Sequence, residues 1–317
     1  MFLCVSPNPA IDKRITLPAL APGEIHRARA AQAFPGGKSA HVAMVLKALG
    51  AEPHWIGLCG GASGDEVLDG LDSLGIATHF TPASAETRTN LEIIEDSSRV
   101  TEIREPGETV SPEEVAAFER DCAKLFQQGR EHAVAIFSGS LPPGAPSDLF
   151  ARLISAARAV GCKTCIDTSG EPLRLALSAH PDFVKPNRDE AAALLSRSID
   201  SKDAAEKALR EIIRLGACRA ALSLGSAGLL YSPGANAQAL FAPALSLTPR
   251  STVGCGDAAL AGFAFALASS ASAEETLRLA AACAAANCVA DSPGAVRSES
   301  IHSFKPQIRI ESLLAAP

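Results

Sequence analysis

Short apolar runs recur along the chain: Phe2-Leu3-Cys4-Val5, Trp55-Ile56-Gly57-Leu58, Ala133-Val134-Ala135-Ile136-Phe137, Thr164-Cys165-Ile166, Phe183-Val184 and Ala221-Leu222-Ser223-Leu224. Continuous runs, unlike alternating ones, suit strands buried on both faces of a parallel sheet. Between them the pattern changes to helical spacing. Ser111-Pro112-Glu113-Glu114 combines an N-cap serine, proline at the first helical position and glutamate at the third. Val115, Phe118, Cys122 and Leu125 then form an apolar stripe. Ser272-Ala273-Glu274-Glu275 repeats the capping pattern before Leu277 and an alanine-rich helix. Two segments, residues 13–34 and 87–105, break the rhythm: Asn90-Leu91-Glu92-Ile93 and Arg99-Val100-Thr101-Glu102-Ile103 alternate polar with apolar. Alternation marks half-exposed strands, here a small antiparallel β lid over a site at the strand ends. The sequence carries no internal repeat and no low-complexity linker. Residues 1–317 are therefore expected to form one doubly wound α/β domain, a mostly parallel sheet flanked by helices, with that lid inserted.

Composition supports a folded core and narrows the partners. Hydrophobic residues make up 47% and charged residues 20%, which excludes global disorder. With 29 basic against 35 acidic side chains the net charge is −6, arguing against a general nucleic-acid binder. The apolar stretch Ala258 to Ala268 falls short of the ~20 residues that span a bilayer, so no membrane partner is expected. Met1-Phe2-Leu3-Cys4-Val5 shows no basic leader, and a cytoplasmic location is expected. Nine scattered cysteines, an odd number without framework spacing, read as reduced core thiols. Cys162-Lys163-Thr164-Cys165 is formally a C-x-x-C, the mark of redox work or half a zinc site. It has no second pair, and Cys165 lies in a strand-like run, which favours a buried thiol.

The richest chemistry lies in Ser251-Thr252-Val253-Gly254-Cys255-Gly256-Asp257, just ahead of a helix from Ala258. Two glycines at a helix start let backbone N–H groups converge on an anion, helped by the helix dipole. An aspartate beside such a turn suits a base that takes a proton from a hydroxyl attacking a phosphate. It equally suits a plain helix cap, and the turn alone leaves both open. Gly37-Lys38-Ser39 imitates the end of a P-loop, but Gln32 stands where the first glycine belongs, so that reading fails. No G-x-G-x-x-G follows the first strand, which disfavours a dinucleotide dehydrogenase.

This segment resembles the D-T-x-G-A-G-D signature of the ribokinase-like (PfkB) sugar kinase family, with Ser251 and Cys255 at variable positions. The resemblance spans nearly the whole chain through further ordered matches. They are Ser6-Pro7-Asn8-Pro9-Ala10-Ile11-Asp12, the di-glycine stretch Pro35 to Ala43, Phe137 to Gly144, Ile166 to Gly170, Val184 to Glu190 and Ser223 to Gly228. The nearest subgroup is the phosphosugar kinases: 1-phosphofructokinase, tagatose-6-phosphate kinase and the minor 6-phosphofructokinase. The resemblance implies ATP-dependent phosphoryl transfer to a phosphorylated ketohexose. Asp257 would be the general base, and the amides of Val253, Gly254, Cys255 and Gly256 the anion hole. Asn187 and Glu190, as N-x-x-E, would help hold Mg²⁺ largely through water, and Lys185, Ser223, Gly225, Gly228 and Val253 would line the ATP site. K⁺ beside the Ser251–Gly256 loop and a homodimer through the lid are implied by resemblance alone.

On the acceptor side the same resemblance gives Asp12 to sugar hydroxyls, beside Gly36 and Gly37. Arg88, in Thr87-Arg88-Thr89-Asn90, would grip the phosphate already on the sugar, with Lys38, Ser138 and one of Arg27 or Arg29 adding to that pocket. Two residues depart from the pattern: His41 stands where an asparagine contacts the sugar, and Ser39 replaces a glycine. These departures bear on sugar identity. The alternatives are a kinase for an unphosphorylated sugar or nucleoside, and a sugar-phosphate-binding protein without catalysis.

Overall fold

The apolar runs stack side by side in one ten-stranded sheet, seen in a computed structural model that describes residues 1–313. Strands, numbered along the chain, are β1 (Phe2–Ser6), β2 (Ala10–Leu17), β3 (Ala30–Gly36), β4 (Pro53–Cys59), β5 (Ala77–Pro82), β6 (Arg88–Glu95) and β7 (Val100–Arg104). They continue with β8 (Val134–Ser138), β9 (Lys163–Asp167), β10 (Phe183–Val184), β11 (Ala220–Ser223), β12 (Gly228–Ser232), β13 (Leu240–Pro243) and β14 (Glu311–Ser312). Helices are α1 (Lys38–Ala48), α2 (Gly61–Ser73), α3 (Pro112–Gly129), α4 (Leu149–Ala159) and α5 (Gly170–Ser178). They end with α6 (Arg188–Leu195), α7 (Lys202–Arg214), α8 (Cys255–Ser269), α9 (Ala273–Cys288) and α10 (Ser298–Phe304).

Sheet order is β14-β13-β12-β11-β10-β9-β8-β1-β4-β5. The strands from β11 across to β5 run parallel, and β12 to β14 add an antiparallel edge. Alternate side chains of each strand enter different cores. Phe2 and Cys4 join the layer of α1, α2, α8 and α9, whereas Leu3 and Val5 join that of α3, α4, α5 and α7. Burial on both faces is why these strands read as unbroken apolar runs. The chain goes outward from β1 to β4 and β5, then returns to β8 on the other side of β1. Strand order reverses between β1 and β8, and in such sheets the ligand crevice opens outside the carboxyl ends at that reversal.

The alternating segments form a separate sheet of order β3-β2-β6-β7. Its outer pairs are antiparallel and its central β2–β6 pair parallel, because those two strands leave the main sheet after the parallel strands β1 and β5. That register sets Ala10 beside Arg88 and Asp12 beside Asn90. Helix starts form as their sequences dictate: α3 has the Ser111–Glu114 capping box, and Ser272 caps α9 by accepting from the Glu275 N–H. Two backbone N–H donors and flanking hydroxyls pull the Glu114 carboxyl down to about 2. Cys162 and Cys165 are buried with their thiols pushed up by desolvation, which makes them inert packing groups. Among the described residues no helix is long and apolar enough to cross a membrane.

Candidate active site

A cleft of about 1060 Å³ runs between the lid and the carboxyl ends of the main-sheet strands. Its walls include Asp12, Arg88 and Asn90 from the lid, Asp167 and Lys185 from strand ends, and Gly254 to Asp257 at the start of α8.

The turn before α8 is built on Gly254, its N-cap, at φ 78° and ψ −5°. A side chain there is strained in the left-handed region and would also press on Pro293. Val253 N–H donates to Ser251 Oγ (3.1 Å) and Cys255 N–H bends back to Thr252 O (3.3 Å). These two amides are thus engaged inside the turn, which corrects their assignment to the anion hole. The N–H groups of Gly254, Gly256 and Asp257 have no partner among the described residues. They are the orphan donors of a helix start, open to an anion. Asn287 holds the turn in place, donating to Val253 O (2.7 Å) and accepting from Gly294 N–H (2.8 Å). Ser251 Oγ donates to Glu92 Oε1 of the lid (2.8 Å), and Arg14 clasps Glu92 from β2. Cys255 Sγ lies 3.0 Å from Cys288 Sγ, so its thiol points at α9 rather than into the turn.

Next to the turn, Asp167 is buried at the end of β9 between two amines, Lys38 Nζ at 2.9 Å and Lys185 Nζ at 2.7 Å. Burial alone would raise its carboxyl, but the two ammonium groups hold it down at about 2. Lys38 in turn is raised despite its desolvation, by Asp167 first and then by Glu190 and Asp257. Two cations thus share one buried carboxylate, leaving positive charge for phosphate. Lys38 was expected at the sugar's phosphate, near Arg88. In the structure its amine is held by Asp167 and lies 3.7 Å from Glu190 Oε1.

Asn187 and Glu190 form the capping box of α6: Asn187 Oδ1 accepts from Glu190 N–H (2.9 Å) and Glu190 Oε2 from Asn187 N–H (2.8 Å). Only Glu190 Oε1 remains, and it already faces Lys38. That donor set fits an Mg²⁺ held through water and carried by substrate phosphates, not a cage of direct protein ligands. Ser223 pairs with Asn187 in an isolated bridge, and Gly225 and Gly228 turn the chain between β11 and β12. Beyond them the cleft becomes a groove of small apolar side chains, with Leu229, Ala242, Ala281, Ala285 and Ile308 on its walls, suited to a flat base.

At the lid end, Asp12 Oδ1 accepts from Asn90 Nδ2 (2.8 Å), while Asn90 Oδ1 is buried without a protein partner. A buried acceptor of this kind suits a ligand hydroxyl. Gly36 lies so near Asp12 that an added Cβ would sit 2.3 Å from its Cγ, so this glycine seats the carboxylate by close approach. Gly37 is the N-cap of α1; burial would raise the Asp12 carboxyl, but His41 above all, then Asn90 and the Gly37 N–H, hold it below its usual range. Arg88 donates Nε to Pro9 O (3.3 Å), Nη1 to Glu105 O (2.6 Å) and Nη2 to Asn8 O (3.2 Å). Three of its five N–H bonds are thereby fixed, leaving two for the cleft. Arg104, at the end of β7, lines the same wall.

Three expectations here are corrected. Ser138 is buried at the end of β8, its carbonyl held by Ser39, and it is Gly139 and Ser140 that reach the cleft. Arg29 pairs with Asp96 in solvent (2.6 Å) and Arg27 is exposed, both on the connection between β2 and β3 and away from the cleft wall. His41 does not offer a free nitrogen to a sugar: Nε2 lies 2.9 Å from Asp12 Oδ2 and Nδ1 2.9 Å from Asp257 Oδ2. Its buried imidazole would be pushed down by desolvation, yet the two carboxylates lift it to about 10.

Of the remaining expected residues, Gly36 is not on the cleft wall, while Asp12, Gly37, Lys38, Arg88, Lys185, Asn187, Glu190, Ser223, Gly225, Gly228, Val253, Gly254, Cys255, Gly256 and Asp257 all line the one cleft, as does His41. Sequence reasoning missed Asp167, Asn90, Glu92 and Asn287. Asp167 left a signal, a charge ending an apolar strand run where a buried carboxylate needs a cation, and Asn90 stands in the Thr87-Arg88-Thr89-Asn90 stretch.

The model of the pfkB family carbohydrate kinases matches residues 8–299. The chain is 33% identical over 279 residues to 1-phosphofructokinase of Rhodobacter capsulatus, covering 88% of this chain and 87% of that protein. It is 32% identical over 273 residues to ATP-dependent 6-phosphofructokinase isozyme 2 of Escherichia coli, covering 85% and 86%. Among solved structures, phosphofructokinase-2 from Escherichia coli in complex with potassium superposes with a TM-score of 0.89 at 28% identity, covering 97% of this chain and 98% of that one.

Proposed function

The chain belongs to the pfkB carbohydrate kinase family, and from that premise we propose that fructose 1-phosphate is its acceptor, converted to fructose 1,6-bisphosphate. The enzyme transfers the γ-phosphoryl group of ATP to a phosphorylated ketohexose, giving a ketohexose bisphosphate and ADP. One observation carries the reading: the Asp257 carboxylate stands at the cleft wall beside amides that point outward unpartnered, so a base and an anion cradle occupy one turn.

Asp12 and Asn90 receive the sugar's hydroxyls. Arg88 directs its two free N–H bonds at the phosphate already present, with Arg104 beside it. Asp257 Oδ1 takes the proton of the acceptor hydroxyl, whose oxygen then bonds to the γ-phosphorus as the bond to the leaving ADP oxygen breaks. The Gly254 and Gly256 amides stabilise the charge on the transferred group, and Lys38 and Lys185 supply positive charge from below. Mg²⁺, held through water by Glu190 and Asn187, neutralises phosphate charge when bound. K⁺ beside the Ser251–Gly256 loop is supported by the potassium complex of the related phosphofructokinase-2 from Escherichia coli. A rise in kcat with K⁺ over Na⁺ tests it.

The backbone ties of Arg88 favour one second reading, an unphosphorylated sugar as acceptor. A coupled assay of ADP release over fructose 1-phosphate, fructose 6-phosphate, tagatose 6-phosphate and free sugars decides between them. The proposal expects fructose 1-phosphate to give the highest kcat/KM, and a free sugar in first place overturns it. A homodimer through the lid is supported by Ile25 and Ile103, 96% and 51% exposed on it, and light scattering tests it. A cytoplasmic location is supported by six buried reduced thiols.

A further inference from the structure

His41 lies where the packed helices α1 and α8 meet the lid strand β2. Its ring sits on α1, with Asp12 of the lid strand β2 at one nitrogen and Asp257 of α8 at the other, both at 2.9 Å. The ring is buried, 6% exposed, and the loop at Gly294 closes over its backbone. A neutral imidazole has one N–H donor and one lone pair. Two ionised carboxylates accept only, so a neutral ring would set its lone pair against one of them. The arrangement is satisfied by an imidazolium that donates to both. Other charged groups around it are Lys38, one turn earlier on α1 and held by Asp167, and Arg88 on β6 near Asp12. The Gly294 loop brings no charge to the ring.

We propose that His41 is a positioning residue for phosphoryl transfer: as a doubly donating imidazolium it fastens Asp257 Oδ2 to Asp12 Oδ2, leaving Oδ1 to face the acceptor hydroxyl. The proposal rests on the kinase reading. Asp257 Oδ1 has no hydrogen bond among the described residues, so one oxygen of the base is anchored and the other is open. The anchor reaches through Asp12 to the lid, so the strand that grips the sugar also sets the base. His41 keeps both its protons throughout. The proton taken from the substrate goes to Asp257 and leaves from there to solvent or product. The elevated proton affinity of the ring, about 10, is consistent with a permanent cation at neutral pH. Without it, two carboxylates face each other uncompensated, and the pair takes up a proton at higher pH.

The test uses the full chain with ATP and its best sugar phosphate, comparing the parent with His41→Asn from pH 5.5 to 10. Asparagine offers one donating and one accepting end, so it can hold only one carboxylate and carries no charge. The expected result is a kcat loss of about 10²-fold, the scale of a base misplaced by about an ångström. KM should change less than fivefold, and the acid limb of the kcat profile should move upward by about one pH unit or more. A folded variant with kcat within twofold of the parent and an unmoved acid limb overturns the proposal while the kinase reading stands. A parent inert toward every sugar phosphate overturns the kinase reading and this role with it. Nitrogen-15 shifts of the His41 ring in the parent, read at pH 8, need neither turnover nor a stable variant. Two protonated nitrogens support the proposal, and a neutral ring overturns it.

Discussion

Gly254→Ala perturbs the anion cradle without touching a charged group. The position is held at φ 78°, where an L side chain costs about 1–2 kcal/mol. The new Cβ would also lie 2.9 Å from Pro293 Cβ and 3.3 Å from Asn287 Nδ2, the amide that anchors Val253 O. Relieving such overpacking costs about 1–3 kcal/mol. Together the two terms give about 2–5 kcal/mol of lost stability. Because the turn must shift to relieve the contact, the Gly254 and Gly256 donors move as well. Removal of one anion-hole donor costs about 10²–10³ in kcat, and that is the expected loss. Gly50→Ala is the control: φ is 82° there, no atom lies within 4 Å of the added carbon, and the site is remote from the cleft. It should lose about 1–2 kcal/mol and no activity. The measurements are a denaturant titration and a coupled steady-state assay on both variants. Should Gly254→Ala retain kcat equal to Gly50→Ala, the amides at this turn do not stabilise the transferred group.

Arg88→Ala should raise KM for a sugar phosphate by about 10²-fold, the scale of a charge-assisted hydrogen-bond pair, with a smaller change in kcat. An unchanged KM removes Arg88 from the phosphate grip. Folding stability should carry a His41 signature. Its proton affinity is raised on folding from 6.5 to about 10, so the contribution is full below pH 6.5 and is lost as pH rises to about 10. Urea midpoints of the parent should fall across that window more steeply than those of His41→Asn, and parallel curves contradict the assignment. Cys255→Ala should keep kcat within about threefold, since its N–H is engaged in the turn and its thiol meets only Cys288 and Asn287. A loss beyond tenfold would restore Cys255 to the site.

The parallel core was legible because strands buried on both faces leave unbroken apolar runs, as Phe2–Val5 and Val134–Phe137 do. Edge strand β14 was not, since Glu311–Ser312 is an exposed polar pair with no apolar run. The parallel β2–β6 pairing also lay beyond reach, because alternation sets which face is buried and not strand direction. At the site, the glycine turn and Asp257 could be placed from spacing, since helix-start geometry is local. Which amides of that turn are free could not, because it depends on where Ser251 Oγ points. What holds Lys38 and His41 was not legible for a related reason. Their partners, Asp167 and Asp257, lie more than a hundred residues away, and no local pattern links a side chain to the carboxylate that captures it.

The most direct measurement compares the parent with Asp257→Asn on ATP and fructose 1-phosphate, following products by phosphorus NMR. Asparagine matches the carboxylate in shape and accepts no proton. The account expects the parent to build up fructose 1,6-bisphosphate and ADP in equal amounts, and the variant to do so ~10²–10⁴-fold more slowly with little change in KM. A variant that matches the parent in rate would contradict the assignment of Asp257 as the base, and with it the mechanism built on that turn.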